Sequence, residues 1–106
     1  MNYENTFTHD GKVYDLAKLQ RLVRSTPMKL VPIKDLLWVL KYDTPSEDRV
    51  ALAKHRYPLL VARSHSGKMT VIDGLHRLEK YRRKGVFTVP IKEVSPEILE
   101  RCLVHR

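Results

Sequence analysis

The feature that most limits the folds open to this chain is a pair of apolar runs followed at once by an amphipathic segment. The two runs are residues 59–62 and 69–72, and the polar stretch between them contains a glycine, which is typical of a β-hairpin. Residues 74–84 then place apolar side chains at helical spacing, and Gly85 is the expected C-cap. The pattern predicts a hairpin whose second strand turns directly into a helix at Gly74.

Short strands and helices alternate in the remainder of the sequence. Asp10 and Gly11 form a turn signal between two short runs, and Asp15 is placed to cap a helix that reaches Arg24. The other expected elements are, in order, a strand at 28–31, a brief helix at 32–40, a helix opened by a capping box from Thr44 to Glu47, a strand at 87–94 that Pro90 restricts to an edge or a bulge, and a helix from Ser95 that includes Leu103. These elements predict an α+β fold in which a small mixed sheet is flanked by helices.

A chain of 106 residues with 42% hydrophobic and 30% charged residues suits one globular domain. We expect residues 1–27 to form an N-terminal hairpin-and-helix extension and residues 28–106 to form the main domain, the two making one compact unit. No apolar run approaches the roughly 20 residues that a membrane span needs, so no membrane partner is expected. Because the core of so short a chain is small, a homodimer is one expected assembly.

Cys102 is the only cysteine in the sequence. A single cysteine excludes an intramolecular disulfide and a cysteine-based zinc site. It also favours a reducing compartment, so we expect a cytoplasmic protein.

Lysine and arginine outnumber aspartate and glutamate by 20 to 12, which gives a formal net charge of +8. Such an excess favours polyanionic partners: nucleic acid, nucleotides or an acidic protein. The predicted helix after the hairpin contributes Lys80, Arg83 and Lys84, and the hairpin contributes Arg63 and Lys68, as a candidate surface for binding DNA or RNA. The alternative is an ordinary solvated basic face.

The turn at residues 71–77, with the sequence VIDGLHR, has the features of an anion site. The first turn of a helix leaves backbone N–H groups unpaired and has partial positive charge. Gly74 permits close approach of a ligand, and His76 and Arg77 add side-chain donors suited to phosphate. The sequence also allows an ordinary strand-to-helix turn with exposed basic residues.

Asp73 has two interpretations at this turn. A carboxylate beside a phosphate site is typical of Mg²⁺ binding or of hydroxyl activation, which makes Asp73 a candidate metal ligand and catalytic residue. The alternative is that Asp73 caps the helix that follows it, which needs no ligand.

Residues 28–99 resemble the ParB/sulfiredoxin fold, and the resemblance is strongest between residues 57 and 94. The matching features are the hairpin with its Gly-Lys pair at 67–68, the turn at 73–77, and the Val-Pro-Ile strand at 89–91. The resemblance implies a turn that binds the phosphates of a nucleotide, ATP or CTP, with Mg²⁺ as a further cofactor.

Sulfiredoxins use a Gly-Cys-His-Arg motif, and Leu75 stands here in place of the reactive cysteine. The resemblance therefore implies the phosphate-binding turn without the thiol chemistry. Arg49 and Val50 loosely match the Lys-Val pair with which sulfiredoxins contact phosphate, so Arg49 is a further candidate for phosphate binding. Leu52 occupies the position of the serine that completes that pattern.

Two other groups with this fold differ in how well they match. Chromosome-partitioning ParB proteins carry Gly-Glu-Arg-Arg-x-Arg-Ala, of which only Gly74 and Arg77 are present, and 106 residues leave no room for an additional helix-turn-helix domain. Free serine kinases carry Asp-Gly-x-His-Arg, which residues 73–77 match at every fixed position. Those kinases also use a glutamate base, and the carboxylates near the expected position are Asp35, Asp43 and Glu47.

The sequence leaves three functions open. The first is a nucleotide- or phosphate-binding domain of the ParB/sulfiredoxin type that acts with nucleic acid. The second is a Mg²⁺-dependent phosphotransferase, NTPase or nuclease that uses Asp73. The third is a protein-interaction module that has the fold but binds no ligand.

Overall fold

The structure is a computed structural model that describes residues 5–53 and 57–105. Its helices and strands alternate along the chain, as predicted for an α+β fold. The strands are β1 (Thr6–His9), β2 (Lys12–Asp15), β3 (Lys29–Pro32), β4 (Leu59–Arg63), β5 (Met69–Asp73), β6 (Thr88–Glu93) and β7 (Leu103–His105). The α-helices are α1 (Leu16–Leu22), α2 (Glu47–Leu52), α3 (Leu75–Lys84) and α4 (Pro96–Arg101), and 3₁₀ turns cover Val23–Ser25, Ile33–Asp35 and Leu37–Lys41.

The described strands form two sheets, whereas the sequence predicted one mixed sheet. The main sheet has the order β3-β6-β4-β5, in which β4 and β6 are parallel and the other pairs are antiparallel. The second sheet has the order β1-β2-β7 and is antiparallel throughout. The hairpin between β4 and β5 and the helix that follows it have the predicted order and position.

The C-terminal strand β7 is the clearest correction to the predicted elements. The final helix was expected to include Leu103, but α4 ends at Arg101 and Leu103 pairs with Tyr14 in β2. The carbonyl of Cys102 accepts a hydrogen bond from the Asp15 amide at 2.8 Å. Pairing with a distant strand therefore replaces the last helical turn, and it joins the N-terminal hairpin to the C-terminal end of the fold. The domain boundary at residue 27 stays a prediction.

Three local predictions were also wrong in register or type. The N-cap of α2 is Ser46, without a side-chain cap bond, so Thr44 does not open a capping box. The segment expected as a helix at 32–40 consists of 3₁₀ turns. Strand β6 lies inside the main sheet despite Pro90, because its pairing with β4 begins only at Ile91 and the missing N–H falls outside that ladder.

Both faces of the main sheet are buried around β4. Leu59 and Val61 belong to one apolar cluster with Leu78 of α3, and Leu60 belongs to a second cluster with Leu19 of α1. The alternation of side chains along a strand places these two sets on opposite faces. Helices α3 and α1 therefore pack on opposite sides of the sheet, and the turn after β5 lies between them. No helix among the described residues is long and apolar enough to cross a bilayer.

Candidate functional site

The turn between β5 and α3 requires glycine at position 74. Gly74 has a φ of 114°, in the left-handed region that L-residues with side chains rarely adopt. A Cβ at this position would lie 2.6 Å from Cδ2 of the buried Leu59 and 3.0 Å from Nη2 of Arg77. Backbone conformation and packing therefore both disfavour a side chain here, and the chain enters α3 through a tight turn.

The first turn of α3 presents unpaired amides. The first hydrogen bond of the helix joins the Leu78 amide to the Gly74 carbonyl at 2.9 Å, so the amides of Leu75, His76 and Arg77 have no acceptor within the helix. The N-cap is Gly74, which has no side chain to accept from them. Asp73 lies one residue too early to be the N-cap, so the capping interpretation of this carboxylate is wrong.

The Asp73 carboxylate contacts two side chains from different elements. Its Oδ2 lies 3.4 Å from Nη2 of Arg77 in α3 and accepts from Nε2 of Gln20 in α1 at 3.3 Å. Arg77 also donates from Nη1 to the carbonyl of Pro58 at 3.3 Å. The Arg77 side chain is 14% exposed and that of Asp73 is 27% exposed. Arg77 thus connects the turn to the start of β4, while the carboxylate stays accessible.

Asp73 lines three grooves that meet at this turn in the described part of the chain. The front groove, of about 380 Å³, is lined by Arg49, Leu52, Ala53, Tyr57, Asp73, Gly74, His76 and Arg77. The rear groove, of about 510 Å³, is lined by Gln20, Val23, Arg24, Tyr57, Pro58, Leu60, Asp73, Arg77 and Lys92. The aromatic groove, of about 560 Å³, lies between β1, β5 and the 3₁₀ turn Leu37–Lys41. Its lining includes Phe7, Trp38, Tyr42, Asp43, Arg49, Asp73, Gly74 and His76.

Four predicted phosphate-binding residues, Arg49, Gly74, His76 and Arg77, are brought together in the front groove. Partial burial lowers the pKa of His76, the positive charge of Arg49 lowers it further, and Asp43 acts in the opposite direction. A pKa below 6.5 favours the neutral imidazole of His76 at neutral pH, which can accept a proton at one ring nitrogen and donate a hydrogen bond from the other. The groove thus combines the unpaired amides and the histidine of α3 with the arginine of α2.

Helix α2, which carries Arg49, is held against α3 by two of the basic residues predicted to bind nucleic acid. Lys80 donates to the carbonyls of Ala51 at 3.1 Å and Ala53 at 2.9 Å, which satisfies the C-terminal end of α2. Arg83 binds both carboxylate oxygens of Glu47, at 3.0 Å and 2.5 Å, and hydrogen bonding to Arg83 lowers the pKa of that carboxyl. Lys80 and Arg83 thus position the front groove and do not line it.

The other predicted nucleic-acid residues are also absent from the linings of the three grooves. Arg63 donates to Glu93 at 3.3 Å and to the carbonyl of Gly67 at 3.1 Å. Lys68 lies with its Nζ 4.3 Å from the centroid of the Trp38 ring. Lys84 is exposed in the last turn of α3. The structure therefore distributes these residues over the surface, and their role with nucleic acid stays a prediction.

The donor set for Mg²⁺ at the turn is small. The described residues contain no group of three or more histidine, cysteine, aspartate or glutamate side chains able to hold a metal ion. Among the residues that the structure describes, Asp73 is the one carboxylate lining the front groove, and Asp43 lies with it in the aromatic groove. Mg²⁺ is commonly bound by one or two carboxylates together with substrate phosphates. Asp73 fits that pattern only when a bound nucleotide supplies the other oxygens.

Gln20, Tyr57 and Lys92 line the site but had no place in the sequence interpretation. Gln20 and Arg24 are four residues apart, so both lie on the same face of the helical segment that begins at α1. That spacing is visible in the sequence, but the contact between Gln20 and Asp73 spans 53 positions. Only the packing of α1 on the main sheet reveals it.

Comparison with protein-family models gave no match, and comparison with curated proteins gave none. Among solved structures, the chain is similar to SbnI with a C-terminal truncation from Staphylococcus aureus, at 28% sequence identity and a TM-score of 0.52. The similarity covers 66% of this chain and 31% of the SbnI chain. It is consistent with the α+β architecture and extends over less than a third of that protein's length.

Proposed function

We propose that this chain is a ParB/sulfiredoxin-like domain that binds the phosphate groups of a nucleotide, ATP or CTP, at the first turn of α3. The sequence resemblance implies this fold, and the similarity to SbnI over part of the chain is compatible with it. The phosphates would accept hydrogen bonds from the amides of Leu75 and His76 and would lie beside the guanidinium of Arg49.

The observation that supports this proposal best is the turn at Gly74. Gly74, His76 and Arg77 line the front groove, so the start of α3 faces that groove and an anion there can approach the unpaired amides closely. The helix dipole favours negative charge there. Arg49 adds a formal positive charge, whereas the charge of Arg77 is offset by its ion pair with Asp73. The net charge of the described residues that line the front groove is therefore positive.

The aromatic groove offers space for the nucleoside. It is continuous with the front groove because both are lined by Arg49, Asp73, Gly74 and His76. Phe7 and Tyr42 provide rings in its lining, and Tyr42 is 81% exposed. Stacking on an aromatic ring accepts any base, so this arrangement does not select between ATP and CTP.

Calorimetric titration with ATP, CTP and ADP, with and without Mg²⁺, tests this proposal. We expect a dissociation constant below millimolar for at least one nucleotide, and a loss of about tenfold or more in Arg49→Met, as expected for one charge-assisted hydrogen bond. Lys34→Met is the matched control, since Lys34 is an exposed lysine of the 3₁₀ turn Ile33–Asp35. Absence of binding for all three nucleotides would contradict the proposal.

A second function, phosphoryl transfer or hydrolysis that uses Asp73, is favoured by one observation. The Asp73 carboxylate is accessible where the three grooves meet. Gly74, the next residue, directly precedes the unpaired amides of α3. Asp73 would supply one oxygen to Mg²⁺ or accept a proton from an attacking hydroxyl.

Release of inorganic phosphate from ATP or CTP, measured with Mg²⁺ present, tests this second function. Asp73→Asn should abolish turnover and retain nucleotide binding, and equal turnover would remove Asp73 from the chemistry.

Action with nucleic acid is supported by the net charge of +8. Phosphate contacts release counterions, so binding to a DNA or RNA oligonucleotide should weaken steeply as salt is raised. Fluorescence anisotropy at several salt concentrations would measure this slope. A flat response would indicate a different kind of partner.

A further inference from the structure

We propose that the rear groove is a second binding site, which takes a small organic anion: a phosphate monoester or a carboxylate attached to an apolar body. The groove has a volume of about 510 Å³, within the size range of small-molecule sites. It shares the Asp73–Arg77 ion pair with the front groove, but Arg49 and His76 do not line it. This site does not depend on nucleotide binding in the front groove.

The polar lining of the rear groove favours an anion. Its charged side chains in the described part of the chain are three cations, Arg24, Arg77 and Lys92, and one carboxylate, Asp73. Because Asp73 is paired with Arg77, the charges of Arg24 and Lys92 remain to act on a ligand. No carboxylate among the described residues forms an ion pair with either of them.

Lys92 is held in place by two hydrogen bonds and still has one N–H donor for a ligand. Its Nζ donates to the carbonyl of Val23 at 3.0 Å and to that of Arg24 at 3.3 Å. An ammonium group has three N–H donors, so one remains for a ligand. The same contacts bind Lys92 to the 3₁₀ turn that extends α1, so the ammonium and the Arg24 residue are fixed close together.

Apart from Gln20, the remaining described lining is largely apolar, which is why the ligand should have an apolar body. Val23 and Leu60 are already buried, at 3% and 5% exposed, so the apolar lining open to a ligand comes from Tyr57, which is 49% exposed, and from the half-buried Pro58. A bare inorganic ion would leave these surfaces in contact with water. An apolar group beside the anionic head would bury them, which is favourable by about 25 cal/mol per Å².

Phenyl phosphate is the probe, and backbone amide chemical shifts of the full chain are the measurement. We expect saturable shifts at Gln20, Val23, Leu60 and Lys92 at millimolar concentration. Phenylacetate tests whether a carboxylate is accepted in place of the phosphate. Inorganic phosphate should bind more weakly than phenyl phosphate because it lacks the apolar body, and benzyl alcohol should not bind because it lacks the charge.

Arg24→Met should weaken phenyl phosphate binding by about tenfold, the effect of one charge-assisted hydrogen bond. Arg21→Met is the matched control, because Arg21 is exposed in α1, three residues before Arg24, and does not line the groove. Arg24→Lys should recover part of the affinity. Arg24 is exposed, so these variants should fold, and unchanged thermal unfolding would verify this.

Four results would overturn the proposal: no saturable shifts, shifts confined to His76 and Arg49, equal binding of benzyl alcohol, or equal weakening by Arg24→Met and Arg21→Met. Nucleotide titration of the Arg24→Met variant separates this site from the front groove. Its nucleotide affinity should equal that of the natural chain. A failure of nucleotide binding alone would leave the rear site intact.

Discussion

Arg77 and Asp73 form an ion pair across the glycine turn, with Nη2 and Oδ2 separated by 3.4 Å. Arg77 also reaches the Pro58 carbonyl at 3.3 Å, so one side chain connects the end of β5 to the beginning of β4. The pair forms a common wall of the front and rear grooves. The geometry of both grooves therefore depends on the position of this guanidinium.

Replacing Arg77 by Met should destabilise the fold by about 2 kcal/mol, because it leaves the Pro58 carbonyl and the Asp73 carboxylate without a charged donor. Urea unfolding would measure the change. Arg101→Met, at an exposed position of α4, is the control and should change stability by less than about 0.5 kcal/mol. Equal effects of the two substitutions would contradict a structural role for Arg77.

Gly74→Ala should be more destabilising than Gly85→Ala. Both glycines have positive φ, but a Cβ at Gly74 would meet Leu59 at 2.6 Å, whereas a Cβ at Gly85 would have no neighbour within 4 Å. We expect a loss of about 1 kcal/mol for Gly85→Ala from backbone strain alone, and about 3 kcal/mol for Gly74→Ala because packing overlap is added. Equilibrium unfolding of both variants checks this, and equal losses would show that Leu59 relaxes without penalty.

Lys80→Met should destabilise the protein by about 1 kcal/mol, since the ammonium donates to two carbonyls at the end of α2. It should also weaken nucleotide binding, because α2 carries Arg49. Lys34→Met serves again as the exposed-lysine control. Amide hydrogen exchange in α2 would detect the loosening directly, and unchanged exchange would remove Lys80 from the positioning of Arg49.

The pH dependence of binding should depend on His76. Its pKa lies below the ordinary value of 6.5 through burial and the charge of Arg49, so the unfolded chain binds more protons at this residue than the folded chain. The stability contributed by His76 is therefore complete above pH 6.5 and is lost as the pH falls through the lower folded pKa. A bound phosphate favours the imidazolium, so nucleotide affinity should increase over the same fall in pH.

Proton NMR titration of the His76 ring, with and without nucleotide, would measure both effects. The nucleotide should raise the ring pKa. The His76→Gln variant controls for titration of the nucleotide itself, and it should lose the part of the pH dependence that belongs to the imidazole. A ring pKa that does not change on nucleotide addition would place the phosphate away from His76.

The elements of the fold that are determined by neighbouring residues in the sequence were predictable. The hairpin of β4 and β5 and the helix ending at Gly85 were all expected near their observed positions, because each depends on nearby turn, periodicity and capping residues. The helix N-cap at Asp15 is likewise confirmed by its acceptance of the Lys18 amide at 3.0 Å.

The features that depend on distant partners were not predictable. Leu103 continues an apolar helical pattern, and only its pairing with Tyr14 shows that it belongs to a strand. Likewise, the sequence around α1 carries no sign that Gln20 reaches Asp73. Most residues of the front groove were predicted because residues 73–77 are contiguous, whereas the rear groove is assembled from four separate parts of the chain.

The most direct measurement of the central claim is the set of backbone amide shifts of the first turn of α3 during titration with ATP or CTP. Phosphate bound at this turn should produce large, saturable downfield shifts of the Leu75 and His76 amide protons, and the Arg49→Met variant should need about tenfold more nucleotide to reach them. Saturable binding that leaves these two amides unshifted would contradict the proposed site, and no saturable change anywhere would contradict nucleotide binding itself.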